Sequence, residues 1–310
     1  MEKKTAVVTG ANSGIGFEMT KHLVGQGWQV AMVCRNLERG TAARETILSQ
    51  YSVNNQHSPQ ELKLFIADLS LEQDCLRVAR EIQDWSPNLH VLINNAGGYF
   101  ARKQMTSEGI EYTTALNHLG YYRLTLALLP LLQSTAAALE SDNEASAPVR
   151  VVNVSSGAHR MGKIVVDQLD NPTKYRAFKI YGDSKLANIY FTRELAKRLE
   201  AGNRNNGTDT PQIAVNCFHP GFVRTNFGKQ EAHTTGSRIF SWLMSKFAIT
   251  PEQGAQTGIW LATSPGAAKL NGTYCYKSEP VNTTAGVIKE EDQKALWEWS
   301  KTKSPGTPVL

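Results

Sequence analysis

The chain has 310 residues, is 41% apolar and carries a formal net charge of +5, an ordinary make-up for a globular protein with a sizeable core, built as one large domain or two small ones. No block of five or six like charges appears, which argues against nucleic-acid binding, and no apolar run reaches the roughly 18 residues of a membrane span. Cys34, Cys75, Cys217 and Cys275 lack metal-type spacing and read as reduced thiols, and the chain enters a strand directly after Met1-Glu2-Lys3-Lys4 with no signal peptide, which together suggest a cytoplasmic protein.

In chain order, Thr5–Thr9 reads as a strand, Gly14–Gln26 as a helix, Gln29–Cys34 as a strand and Leu37–Gln50 as a helix. A polar loop leads to strand Leu62–Ala67, helix Leu71–Trp85 and strand His90–Ile93. A long helix is expected from Ser107 to Ala137, with Pro130 kinking it or splitting off its last turns. Then come strand Val149–Ser155, helix Tyr181–Ala201 and strand Ile213–Phe218. Further helices are expected at Arg238–Phe247, Pro251–Thr263 and Glu290–Lys301, with a short strand at Thr273–Tyr276. Alternating helices and nearly continuous β-branched strands imply an α/β fold: a single, doubly wound, mostly parallel sheet of about seven strands covered on both faces.

The first strand–helix turn is Thr9-Gly10-Ala11-Asn12-Ser13-Gly14-Ile15-Gly16. Its glycines allow a tight turn and close approach to a pyrophosphate at the helix N-terminus, which nominates Gly10, Asn12, Ser13, Gly14, Ile15 and Gly16 as cofactor contacts. The second strand ends Cys34-Arg35-Asn36. A carboxylate here would grip ribose hydroxyls; Arg35 suits a 2′-phosphate, so NADP(H) is favoured over NAD(H). Asp68 and Leu69 follow the third strand at the adenine position, and Asn95, Ala96 and Gly97 follow the fourth at the same sheet edge.

Tyr181 and Lys185 stand one helical turn apart and share a helix face. A phenol beside an ammonium should have a lowered pKa and serve as proton donor or acceptor near neutrality. Ser155 and Ser156 end a buried strand upstream. His118, His159 and His219 read as packing or hydrogen-bonding residues rather than bases.

Taken together, the glycine loop at Thr9–Gly16, Asn94-Asn95-Ala96-Gly97, the serine strand, Tyr181-x-x-x-Lys185 and His219-Pro220-Gly221 resemble the short-chain dehydrogenase/reductase family from about Lys4 to Tyr276. Cys34-Arg35-Asn36, Leu116-Asn117-His118-Leu119-Gly120, Val152–His159 and Tyr181–Asn188 are similar to its retinol dehydrogenase-like branch, which also resembles the light-dependent protochlorophyllide reductases. The resemblance implies that Tyr181 donates a proton to a carbonyl oxygen and that Ser156, a better match than Ser155, hydrogen-bonds that oxygen. It implies that Lys185 lowers the tyrosine pKa and holds the nicotinamide ribose, and that Asn117 anchors a water relay. Pro220, Gly221, Val223 and Thr225 would lie against the nicotinamide. The variable stretch at about 222–250, with Phe222, Phe240 and Trp242, would cover a lipophilic substrate; an amphipathic helix packing on the core or a partner, or a shallow membrane contact, fits the same pattern.

The implied activity is interconversion of a lipophilic, retinal-like carbonyl with its alcohol, by a monomer or homodimer. A light-dependent C=C reductase and a non-catalytic NADP(H)-sensing protein are the alternatives. Many members of the branch carry an N-terminal membrane anchor, and this sequence shows no such segment.

Overall fold

The computed structural model describes residues 3–51, 61–141, 148–205, 212–223, 248–283 and 289–310. Eight strands form one sheet: β1 (Thr5–Thr9), β2 (Gln29–Cys34), β3 (Leu62–Ile66), β4 (Val91–Asn94), β5 (Val149–Val154), β6 (Ile213–Phe218), β7 (Tyr274–Tyr276) and β8 (Glu279–Pro280). Their order is β3-β2-β1-β4-β5-β6-β7-β8, parallel except for the antiparallel β7–β8 pair. The two-residue β8 is the strand the sequence did not announce. The order reverses between β1 and β4, which opens a crevice at the carboxyl ends of those strands.

Strand periodicity divides the core. Val7, Ala31 and Leu92 face one layer, where α3 (Glu72–Trp85), α4 (Gly120–Ser141) and α5 (Ala177–Asn205) pack. Ala6, Val8 and Ile93 face the other, against α1 (Gly14–Gly25), α2 (Leu37–Tyr51) and α6 (Pro251–Thr263). Both faces are covered, so the central strands are apolar throughout.

The helices around the site differ from the sequence expectation for local reasons. The helical run leading into α4 starts at Tyr112, not Ser107, because the buried Glu111 carboxylate accepts from Thr113 N (3.0 Å) and Thr114 N (2.8 Å). Pro130 does not split α4: it lies at an exposed position, and the apolar residues around it hold the helix on the sheet through Ser141. α5 begins at Ala177, a turn before Tyr181, so the tyrosine sits inside a formed helix.

The last helix, α7 (Glu290–Thr302), lies across α4 and α5. Trp297, 2% exposed, meets Tyr122 edge-on at 5.2 Å and stacks on Phe191 at 6.1 Å, with the Arg198 guanidinium 4.4 Å from its ring. Beyond it, Arg123 binds the tail through Ser304 Oγ (2.9 Å) and Lys303 O (2.5 Å).

Candidate active site

The β1–α1 loop is shaped for a close backbone approach. Gly10 has φ +64°, a left-handed conformation open to glycine. A Cβ on Gly16 would lie 2.4 Å from Gly10 O. Ser13 caps α1 without a side-chain capping bond, and the first turn of α1 holds no acidic residue. The N–H groups and dipole of α1 therefore favour an anion, and the cradle fits a dinucleotide pyrophosphate.

Several nominated residues serve this cradle indirectly. The Asn95 amide donates to Thr9 O (2.7 Å) and Gly10 O (3.3 Å), so its side chain holds the loop. Ala96 N and Asn95 N both donate to Thr9 Oγ1 at 2.8 Å. The Ile15 and Leu69 side chains are buried in the core, which leaves only their backbone to face a cofactor. Asn36 Oδ1 accepts from Arg39 N (2.9 Å) at the start of α2. Arg35 is exposed and donates to the Tyr112 hydroxyl, which itself donates to Asp68 Oδ2 (3.3 Å).

Around Gly97 two of the nominated residues converge: a Cβ there would sit 3.0 Å from Asn117 Oδ1 and 3.4 Å from Lys185 Nζ. Asn117 lies in a widened π turn, Ala115–Leu119, accepts from Gly98 N (2.8 Å) and donates to Gly98 O and Ser184 Oγ (both 3.0 Å). Lys185 Nζ donates to Val154 O (3.1 Å) and lies 5.7 Å from the Tyr181 ring centroid.

The two serines do different work. Ser155 Oγ is buried and donates to Lys185 O (2.8 Å), tying β5 to α5. Ser156 caps the 3₁₀ turn Gly157–Met161, accepting from Ala158 N (3.2 Å), and also meets the Tyr181 hydroxyl.

The expected lowering of the Tyr181 pKa is overturned. Loss of hydration pushes the phenol up to about 12, against the hydrogen bond from Ser156 that lowers it. The same loss of hydration brings Lys185 down to about 7. With its pKa near 7 the buried lysine carries its charge only part of the time near neutral pH, so it stabilises a phenolate less than a solvated ammonium would. The tyrosine is therefore held as a protonated donor.

The histidines are hydrogen-bonded or stacked, as read from sequence. His118 Nε2 bonds Ser300 Oγ (2.7 Å), and burial lowers its pKa to about 3. His159 Nδ1 meets Ser156 O (2.7 Å). His219 Nδ1 accepts from Gly221 N (3.0 Å), and the ring stacks on Tyr276 at 4.7 Å.

Sequence reasoning missed Tyr99, Phe178 and Tyr112. Tyr99 lies edge-on to Tyr181 at 6.2 Å and to Phe178 at 6.3 Å, and Phe178 is 57% exposed. Phe178, one turn before Tyr181, was within reach of helical periodicity. On the loop after β6, Pro220 and Gly221 form the turn, Phe222 is 52% exposed, and Val223 bridges to Ile249. Thr225, Phe240, Trp242 and the expected helix at 238–247 lie outside the described residues. Among the described residues no acidic, His or Cys cluster could hold a metal, and no helix is long and apolar enough to cross a membrane.

Residues 4–236 match the family model for short chain dehydrogenases. The chain belongs to that family. Family members act on CH–OH/C=O groups with NAD(P)(H), and this chain is an oxidoreductase of that kind. It is 34% identical to mouse retinol dehydrogenase 14 over 306 residues, covering 97% of this chain and 86% of the relative. An uncharacterised protein from Mycobacterium paratuberculosis has a similar structure, with a TM-score of 0.72, 26% identity, and coverage of 99% of this chain and 95% of that one. The Pseudomonas aeruginosa RhlG/NADP complex aligns with a TM-score of 0.63 and 25% identity, covering 87% of this chain and 93% of the other.

Proposed function

We propose that the protein is an NADP(H)-dependent reductase of apolar aldehydes and ketones. The observation that carries the reaction is the Ser156–Tyr181 hydroxyl pair, with the phenol held protonated. When bound, the reduced dinucleotide supplies hydride to the carbonyl carbon. Ser156 and Tyr181 hold the carbonyl oxygen, and Tyr181 gives it a proton as negative charge develops. The phenolate then recovers a proton from the Lys185 side, where an ammonium with a pKa of about 7 is a ready donor. Asn117 fixes the Gly97–Gly98 backbone beside that lysine.

The phosphorylated cofactor is favoured because β2 is followed directly by Arg35, with no carboxylate at its end. The NADP in the RhlG complex supports the same choice. For the substrate, the aromatic series Phe178–Tyr99–Tyr181 runs from an exposed ring to the proton donor, and apolar surface covered by it would leave water. The name of the retinol dehydrogenase relative points to the same chemistry. Turnover of a straight-chain aldehyde series, with all-trans-retinal included, tests this. Phe178→Ala should raise KM for long substrates by about 5- to 20-fold, the equivalent of about 1–2 kcal/mol of lost apolar contact, and leave short ones unchanged. Equal effects on short and long substrates would sink the apolar-substrate reading.

A further inference from the structure

We infer that Tyr112 is a positioning residue for cofactor choice, holding Arg35 where a 2′-phosphate arrives; this rests on the NADP(H) reading above. Tyr112 opens the first turn of the helical run, with Phe100 edge-on at 4.9 Å and Glu111 capping the turn. Its hydroxyl accepts from Arg35 Nη1 and donates to Asp68 Oδ2 at 3.3 Å. Asp68 Oδ1 is held in turn by Ser70 N (3.0 Å) and Ser70 Oγ (2.7 Å). One phenol thus bridges the ends of β2 and β3, the two strand ends where the adenosine half of a dinucleotide would lie.

The chemistry follows from the donor count. An arginine has five N–H donors, and a hydroxyl on Nη1 leaves Nε and Nη2 for a bidentate grip on phosphate. Free in solvent, the Arg35 side chain would spread over many rotamers, and fixing it on binding would oppose affinity. Tyr112 does that fixing before the ligand comes. It also stands between Arg35 and Asp68, so the guanidinium is kept off a carboxylate that would compete with the phosphate. Burial and the Asp68 charge raise the Tyr112 pKa, so the phenol keeps the proton it donates to Asp68 and presents its lone pairs to Arg35.

The test is a double-mutant cycle on equilibrium binding, with Kd for NADPH and for NADH read by energy transfer from protein tryptophan to the nicotinamide. Arg35→Ala should weaken NADPH by roughly 10- to 100-fold, the range of a charged hydrogen bond, and leave NADH unchanged. Tyr112→Phe should weaken NADPH by about 3- to 10-fold and leave NADH unchanged. In the Arg35→Ala background, Tyr112→Phe should have no further effect. Thermal melting without nucleotide checks that Tyr112→Phe, which keeps the ring, is folded. If Arg35→Ala changes NADPH and NADH alike, the NADP(H) reading falls and the inference with it. If Arg35→Ala is selective but Tyr112→Phe changes both cofactors equally, or acts undiminished without Arg35, only the role of Tyr112 is overturned.

Discussion

Lys185→Met should make the nucleotide-free protein more stable at acid pH while abolishing turnover. Lys185 is 3% exposed, and burial takes its pKa from 10.5 to about 7. The unfolded chain therefore holds this proton up to the higher value, and the fold releases it near the lower one. Between them the unfolded state binds more protons, so stability rises with pH. The penalty is fully present below about pH 7 and fades towards pH 10.5. By linkage it amounts to about 5 kcal/mol. Methionine removes the charge and keeps the volume, but forfeits the hydrogen bond to Val154 O, worth about 1 kcal/mol. The net expectation is a gain of a few kcal/mol at pH 6 that shrinks at pH 8 and is gone near pH 10. Urea unfolding of both proteins at the three pH values measures it. A variant less stable at pH 6, or a difference independent of pH, would refute the claim that this lysine is a dry, strained group kept for function.

Further outcomes follow from the same geometry. Tyr181→Phe should lower kcat by about 10²- to 10⁴-fold, with NADPH binding retained in a fluorescence titration. Ser156→Ala should lower kcat by about 10²-fold or more, whereas Ser155→Ala, which loses only the bond to Lys185 O, should appear mainly as about 1–3 kcal/mol of lost stability in denaturant titration. Trp297→Ala opens the pocket between Tyr122 and Phe191 and should cost about 3–5 kcal/mol in the same assay.

The parts legible in the sequence were those set by local pattern. Strands β1, β2 and β6 and helix α6 read cleanly because buried runs such as Ala6–Val8 and the Thr250-Pro251 start leave few alternatives; Thr250 and Gln253 form a capping box there. Tyr181, Lys185, Ser156 and Asn117 were nominated from motif, and the structure brings them to one crevice. What sequence could not give was hydration. One helical turn between Tyr181 and Lys185 suggested a lowered phenol pKa, but burial of both groups reverses the sign. Nor could spacing show that Asn95 is committed to the Gly10 backbone, or that Tyr112 meets Arg35 from 77 residues away. Those contacts depend on the strand order, which joins distant segments at one sheet edge.

The most direct test of the account is the fate of label from NADPH carrying deuterium at the transferable C4 position, with all-trans-retinal as acceptor and mass analysis of the product. The account predicts an alcohol with one deuterium on the former carbonyl carbon, formed by the wild type and not by Tyr181→Phe. Deuterium on a chain or ring carbon with the aldehyde intact, or equal labelling by Tyr181→Phe, would contradict it.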